Sequence, residues 1–146
     1  MKARIVNNRD SFASFRQLLA AAGLPYHDLE MNKHLLISYY EEENLIGTGG
    51  LEIYEDYGLL RSVSVVKSHR GEKTGTRIVA HLICQAKAKK LKGLYLLTET
   101  AREFFLKTGF QVVDRSQVVA VVKTSPAFSH VCPTTATCMH LNLPGV

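Results

Sequence analysis

The chain has 146 residues, 46% of them hydrophobic and 21% charged, with a net charge of +5. This is the composition of a soluble globular protein, long enough for one domain over residues 1–146 with a proper core. No apolar run approaches the ~20 residues of a membrane span, and the polar first nine residues lack the apolar centre of a signal peptide, so a cytoplasmic protein without membrane contact is expected.

In chain order, residues 4–6 read as a short strand. Asp10 or Ser11 can cap a helix whose apolar positions, Phe12, Phe15, Leu18, Leu19 and Ala22, share one face, and Gly23 and Pro25 end it. Residues 35–40 read as a strand, 41–44 as a charged hairpin turn and 45–54 as the returning strand, weakened in its middle by Gly47, Gly49 and Gly50. A turn at Asp56-Tyr57-Gly58 leads into a third strand, 59–66, in which alternation puts Arg61 on the face of Val63 and Val65. A helix from about 75 to 90 has Ile78, Val79, Leu82, Ile83 and Ala86 as its inner face and His81, Gln85, Lys87, Lys89 and Lys90 as an outer polar side. Gly93 stops it, and residues 94–97 are apolar throughout, as in a buried parallel strand. A helix over 99–107 closes at Gly109, and 110–113, 118–122 and 136–141 are further strand candidates. After Ser116 the only formal charge is Lys123, so this tail is expected to pack in the fold or against a partner, a homodimer contact included.

Half the basic residues, 9 of 18, fall in residues 61–92, which carry a net charge of +8. At the centre of this window a buried strand runs through a polar, glycine-containing turn into a helix. Such a turn points free backbone N–H groups and the positive end of the helix dipole at one spot, which suits a phosphate-bearing ligand. A pI of 9.2 invites nucleic acid, but the charge is gathered beside one turn, without an aromatic-basic motif or a reading helix. The three cysteines make no disulfide framework. Cys84 falls in a helical pattern and reads as a small buried residue. Cys132 and Cys138 lack zinc spacing, so no metal is expected; a soft-metal or arsenic site using all three thiols is the alternative.

With the residues placed, the chain resembles the GNAT N-acetyltransferase superfamily over nearly its whole length. That resemblance implies an α+β fold, a mixed and mostly antiparallel sheet of about six to seven strands with helices on both faces, and acetyl-CoA as co-substrate. In the family the turn after the fourth strand carries Arg/Gln-x-x-Gly-x-Gly/Ala and holds the pyrophosphate. Arg70-Gly71-Glu72-Lys73-Thr74-Gly75 aligns with it and Thr76 follows, but Lys73 stands where the first glycine is usual. Its ammonium could replace the lost backbone contact as a point charge. The family's late helix, Ala-x-x-x-Tyr-x-x-x-Gly-Phe, is matched by residues 101–110, with Phe105 in place of the proton-donating tyrosine. The resemblance further implies that Val63, Ser64 and Val65 bind pantetheine, with Thr100, Phe104 and Phe105 beside the cofactor. Leu24-Pro25, Asp28-Leu29, Gly50-Leu51-Glu52, Leu59-Leu60-Arg61-Ser62, Leu96-Leu97-Thr98 and Cys132-Pro133 look like the ArsN-type acetyltransferases of arsenic-resistance operons.

The reaction so implied is attack of a small amine on the thioester in a ternary complex. Glu52 is the candidate base, directly or through water, against a plain reading as a surface carboxylate. Arg61, on a mostly buried strand, needs an anion. It reads equally as a structural ion pair, with Glu52 as its candidate partner, and, if Glu52 instead serves the amine, as the holder of an acceptor carboxylate, the latter pointing to an amino acid or its analogue. His69 reads as a turn residue or a phosphate contact, and the lysines of 87–92 as a solvated face. Two other classes stay open: a non-catalytic acyl-CoA sensor, which Phe105 and Lys73 keep alive, and a nucleic-acid-binding domain, supported only by the basic window.

Overall fold

The structure is a computed structural model that describes residues 1–131 and 133–144. Its elements are β1 (Lys2–Ile5), α1 (Arg9–Ala21), β2 (Leu35–Glu41), β3 (Asn44–Tyr54), β4 (Tyr57–Val65), α2 (Thr74–Ala88), β5 (Gly93–Thr98), α3 (Arg102–Lys107), β6 (Gln111–Val112) and β7 (Thr137–Asn142). The strands form one sheet in the order β1-β2-β3-β4-β5-β7-β6. Every neighbouring pair is antiparallel except β4 and β5, so this is the mixed, mostly antiparallel α+β sheet expected.

Alternation along the strands gives the sheet two apolar faces. On one, Ile37, Leu51, Leu60, Leu94 and Leu96 meet Ile78, Val79, Leu82 and Ala86 of α2 and Phe105 of α3. On the other, Leu36 meets Phe15 and Leu19 of α1, while Leu59, Tyr95 and Cys138 meet Val118, Val122 and Ala127. Adjacent residues such as Leu36 and Ile37, or Leu59 and Leu60, serve opposite layers. Gly49 lets α2 settle close to β3, since a Cβ there would stand 2.6 Å from Leu82 Cδ1.

Several boundaries differ from the sequence expectation. The cap of α1 is Asn8, in extended conformation, whose side-chain oxygen accepts from the Ser11 N–H at 2.8 Å; Asp10 and Ser11 lie inside the helix. The β3–β4 turn is Glu55-Asp56, with Glu55 at φ 55, and Tyr57 and Gly58 already pair as strand. The α3 helix starts at Arg102, because the Thr98 hydroxyl accepts from Ala101 N–H and holds 98–101 as a turn. Residues 118–122 form no strand. The segment carries short 3₁₀ turns at Arg115–Gln117 and Val122–Thr124 and buries Val118 and Val122 against the sheet face, a use of β-branched residues that composition does not separate from a strand. The described part of the charge-poor tail thus packs on its own chain.

Two side chains of α2 also depart from expectation. Cys84 is exposed, while Cys138 is buried on the opposite face of the sheet, and Cys132 lies outside the described residues, so Cys84 and Cys138 do not converge on one site. His81 turns inward, with Nδ1 2.8 Å from the Tyr39 hydroxyl. Burial pushes that phenol far above its usual range, so Tyr39 stays protonated.

Two irregularities of β4 build the site. Gly47 pairs with Val65 and Thr48 with Ser64, but Gly50 pairs with Arg61, leaving Ser62 and Val63 opposite Gly49 alone. This is a β-bulge, with Ser62 at φ 62. The extra residue resets the alternation, so Arg61 shares the face of Ser64 and not that of Val63 and Val65. The second irregularity is that β4 and β5 pair only from Tyr57 to Leu59 against Gly93 to Tyr95. Beyond Leu59 the two strands part.

Candidate functional site

The parting strands open a cavity of about 420 Å³. Leu60 to Val65 form one wall, and Leu96 to Ala101 with Phe104 and Phe105 form the other. Gly23, Leu24 and Pro25, just beyond α1, close one side, and Arg70 lies at the far end. On this side the β4 backbone has no ladder partner, so its N–H and C=O groups are offered to a ligand. The Val65 carbonyl accepts from Arg70 Nε at 3.0 Å, which ties the arginine to the cleft wall. The Ser64 side chain points to the opposite face, where its hydroxyl bonds Thr48 Oγ1 at 2.5 Å, so only its backbone serves the cleft.

From Val65 the chain passes through a 3₁₀ turn, Lys67–His69, and reaches the N-terminus of α2. Gly71 has φ 84 and Lys73, the residue before the helix, has φ 63. The left-handed backbone at Lys73 is what the glycine of the resembling motif would allow freely; with a side chain it costs ~1–2 kcal/mol. The first amides of α2, at Thr74, Gly75 and Thr76, have no carbonyl partner within the helix, and no side chain caps them. Lys67, Arg70, Lys73 and Arg77 are exposed around them. His69 instead faces Glu41, 3.4 Å away.

The two phenylalanines divide the work. Phe105 is 7% exposed and stacks edge-on against Phe110 in the core, while still lining the cleft. Phe104 is half-buried and covers the start of α2, where a Cβ on Gly75 would stand 3.3 Å from its ring. Neither carries a proton to give. Thr100 is exposed on the same wall.

Arg61 lies at the inner end of the cleft, its side chain 10% exposed and every N–H engaged. Nη1 reaches Asp28 Oδ2 at 2.5 Å and Glu52 Oε2 at 2.8 Å, Nη2 reaches Asp28 Oδ1 at 2.8 Å and the Pro25 carbonyl at 3.4 Å, and Nε reaches Ser62 Oγ at 3.2 Å. Glu52 is 1% exposed and does not line the cleft. Its other oxygen accepts from Ser125 Oγ at 2.7 Å and from the Tyr54 hydroxyl. Burial, reinforced by that bond to Glu52, pushes the Tyr54 phenol up to about 12, so it stays a donor. Burial alone would raise the Asp28 carboxyl, but the Arg61 hydrogen bonds and charge outweigh it and hold the group below its ordinary value.

A second, open groove of about 700 Å³ adjoins the cleft, lined by Ala20, Gly23, Leu24, Pro25, Tyr26, His27, Asp28 and Glu99. Glu99 borders both spaces, is exposed, and has no ion-pair partner among the described residues. The sequence reading gave no role to Asp28, Glu99, Tyr54 or Ser125. Two signals pointed to Asp28, its place in the Asp28-Leu29 stretch of the ArsN-type resemblance and the need of Arg61 for an anion; Ser125, 73 residues from Glu52, left none.

The family model described as an acetyltransferase (GNAT) domain matches residues 32–112, more than half of the chain. No curated protein matches it significantly in sequence. Among solved structures it is similar to Rv2747 from Mycobacterium tuberculosis in complex with CoA and NLQ, with a TM-score of 0.77 and 18% identity over 99% of this chain and 100% of that one. It is also similar to N-acetylglutamate synthase from Neisseria gonorrhoeae complexed with coenzyme A and L-arginine, at a TM-score of 0.78 and 17% identity. That match covers 97% of this chain and 33% of the synthase, so this chain spans a third of its length. An aminoglycoside 6'-N-acetyltransferase complexed with coenzyme A gives a TM-score of 0.74 at 17% identity, over 100% of this chain and 99% of that one.

Proposed function

We infer the reaction from the family to which the chain belongs, the GNAT acetyltransferases: it transfers the acetyl group of acetyl-CoA to a small amine, by direct attack in a ternary complex. The observation that carries this reading is the parting of β4 from β5, which leads an unpaired strand edge straight to the bare amides of α2. Pantetheine then lies along the backbone of Val63, Ser64 and Val65, facing Thr100, Phe104 and Phe105. The pyrophosphate sits on the turn formed by Arg70, Gly71, Glu72, Lys73, Thr74, Gly75 and Thr76, in the field of the helix dipole.

The acceptor enters from the groove below Pro25. Its lone pair attacks the thioester carbonyl, the tetrahedral intermediate collapses, and CoA leaves as thiolate. A thiolate is a good leaving group, the free cysteine thiol having a pKa of about 8.5, so departure needs no proton donor, in keeping with Phe105. Holding both substrates in line supplies the main share of the acceleration, worth ~7–11 kcal/mol in well-oriented systems. Glu52, enclosed by Arg61, Tyr54 and Ser125, orients Arg61 in this reading. The exposed carboxylate of Glu99, at the junction of cleft and groove, takes up the amine proton. The narrower ArsN-type resemblance, together with a guanidinium at the inner end of the cleft, supports an amino acid or amino-acid analogue as acceptor.

Calorimetric titration with acetyl-CoA and thiol release on a panel of small amines test the reading. Arg70→Ala should weaken acetyl-CoA binding by about 1.5–3 kcal/mol, the worth of hydrogen bonds to a charged group. Arg61→Lys should raise the acceptor KM well beyond the acetyl-CoA KM, because an ammonium cannot reproduce the planar fork. Binding without turnover on any amine would identify an acyl-CoA sensor instead.

A further inference from the structure

The two carboxylates on Arg61 are not equivalent. Glu52 belongs to a strand, is 1% exposed and has three side-chain donors on it. Asp28 stands in the connection between α1 and β2, outside any helix or strand, and borders the open groove. Arg61 is its one ion-pair partner among the described residues, and both of its oxygens are spent on the Arg61 fork, at 2.5 and 2.8 Å. That two-pronged seat is the one any carboxylate prefers on a guanidinium. The trio of Asp28, Glu52 and Arg61 carries a net charge of −1, so a further anion cannot simply be added to it. It can enter only by replacing one carboxylate, and Asp28 alone has an open groove to retreat into.

We propose that Asp28 is an exchangeable stand-in for the acid group of the acceptor: it holds Arg61 in register while the site is empty, and the acceptor's carboxylate, or an analogous oxyanion, displaces it. This rests on the reading of the site as an acetyltransferase acting on acid-bearing amines. Displacement leaves Arg61 with the same count of charges and hydrogen bonds, and frees the segment from Pro25 to Asp28. An amine without an acid group leaves the Asp28–Arg61 pair intact. Empty-site pairing therefore lowers the apparent affinity for acid-bearing acceptors by the fraction of time that Arg61 is free.

The test compares wild-type protein and Asp28→Asn in thiol release, using alanine, glutamate and 1-aminoethylphosphonate, each beside a counterpart stripped of every acid group: ethylamine for alanine and for the phosphonate, and the diamide for glutamate. Asp28→Asn should lower the KM of the acid-bearing amines by about five- to twentyfold and shift that of the counterparts less than twofold. Hydrogen exchange on the wild type gives a readout that needs no variant. With CoA present, glutamate should speed exchange at the Leu29 amide, which bonds the Tyr26 carbonyl at 3.3 Å, while the counterpart should not. A rise in KM for both classes, equal shifts in both, or unchanged or slower exchange at Leu29 with glutamate would overturn the stand-in role and leave the acetyltransferase reading standing. Silence of every amine with both proteins, while acetyl-CoA still binds, would overturn the two together.

Discussion

Replacing Lys73 by glycine separates the backbone role of that position from its charge. Lys73 holds φ 63 immediately before α2 and makes no side-chain cap. Releasing a side chain from this left-handed conformation gains ~1–2 kcal/mol. Glycine loosens the unfolded chain as well, which takes back ~0.4–1 kcal/mol. The first effect is the larger, so Lys73→Gly should stabilise the free protein by about 0.5–1 kcal/mol, a Tm rise of roughly 1–4 °C at this length. Lys73→Ala keeps a Cβ and should give no such gain. Both variants lose the ammonium beside the turn, so both should bind acetyl-CoA up to about fivefold more weakly, a difference that shrinks in high salt. Scanning calorimetry of the free proteins, and titration with acetyl-CoA at two salt concentrations, provide the numbers. A Tm gain in Lys73→Ala equal to that in Lys73→Gly would refute the strain argument. A Lys73→Gly variant binding more tightly than Lys73→Ala would show that the side chain keeps phosphate away from the backbone.

Gly47→Ala should destabilise by about 1–3 kcal/mol, since its Cβ would stand 2.5 Å from Ile78 Cδ1 and 2.9 Å from the Ser64 carbonyl, as urea unfolding would register. Phe105→Tyr should fold normally and change the acetylation rate by less than about tenfold; a hundredfold gain in single-turnover kinetics would make thiolate protonation limiting. His34 and His140 are each held below their ordinary value of 6.5, foremost by burial. The unfolded chain therefore takes up protons that the folded one refuses, and stability should fall as pH drops below about 6.5. Changing both to Gln should flatten that limb in denaturant titrations at pH 5 and 7.5; an unaltered slope would assign it to other groups.

How much of this was legible in the sequence depends on the reach of each signal. The turn from β4 into α2, the apolar face of α2 and the tandem Phe104-Phe105 were readable because strand, turn and helix signals act within a few residues. The family resemblance rested on such stretches, and so did the expected sheet. Residues 118–122 were misread because an apolar segment laid across a sheet face has the composition of a strand in it.

What the sequence could not place is the environment of Arg61. Unbroken alternation puts it beside Val63 and Val65; the bulge at Ser62 puts it on the other face. That bulge is a property of the ladder between β3 and β4, which no single strand encodes. Once the side chain is turned, its partners come from Asp28, 33 residues away, and from Glu52, itself pinned by Ser125. A local pattern specifies that a buried guanidinium needs an anion, but only the packed chain decides which anion reaches it, because that choice is made by the meeting of segments distant in sequence.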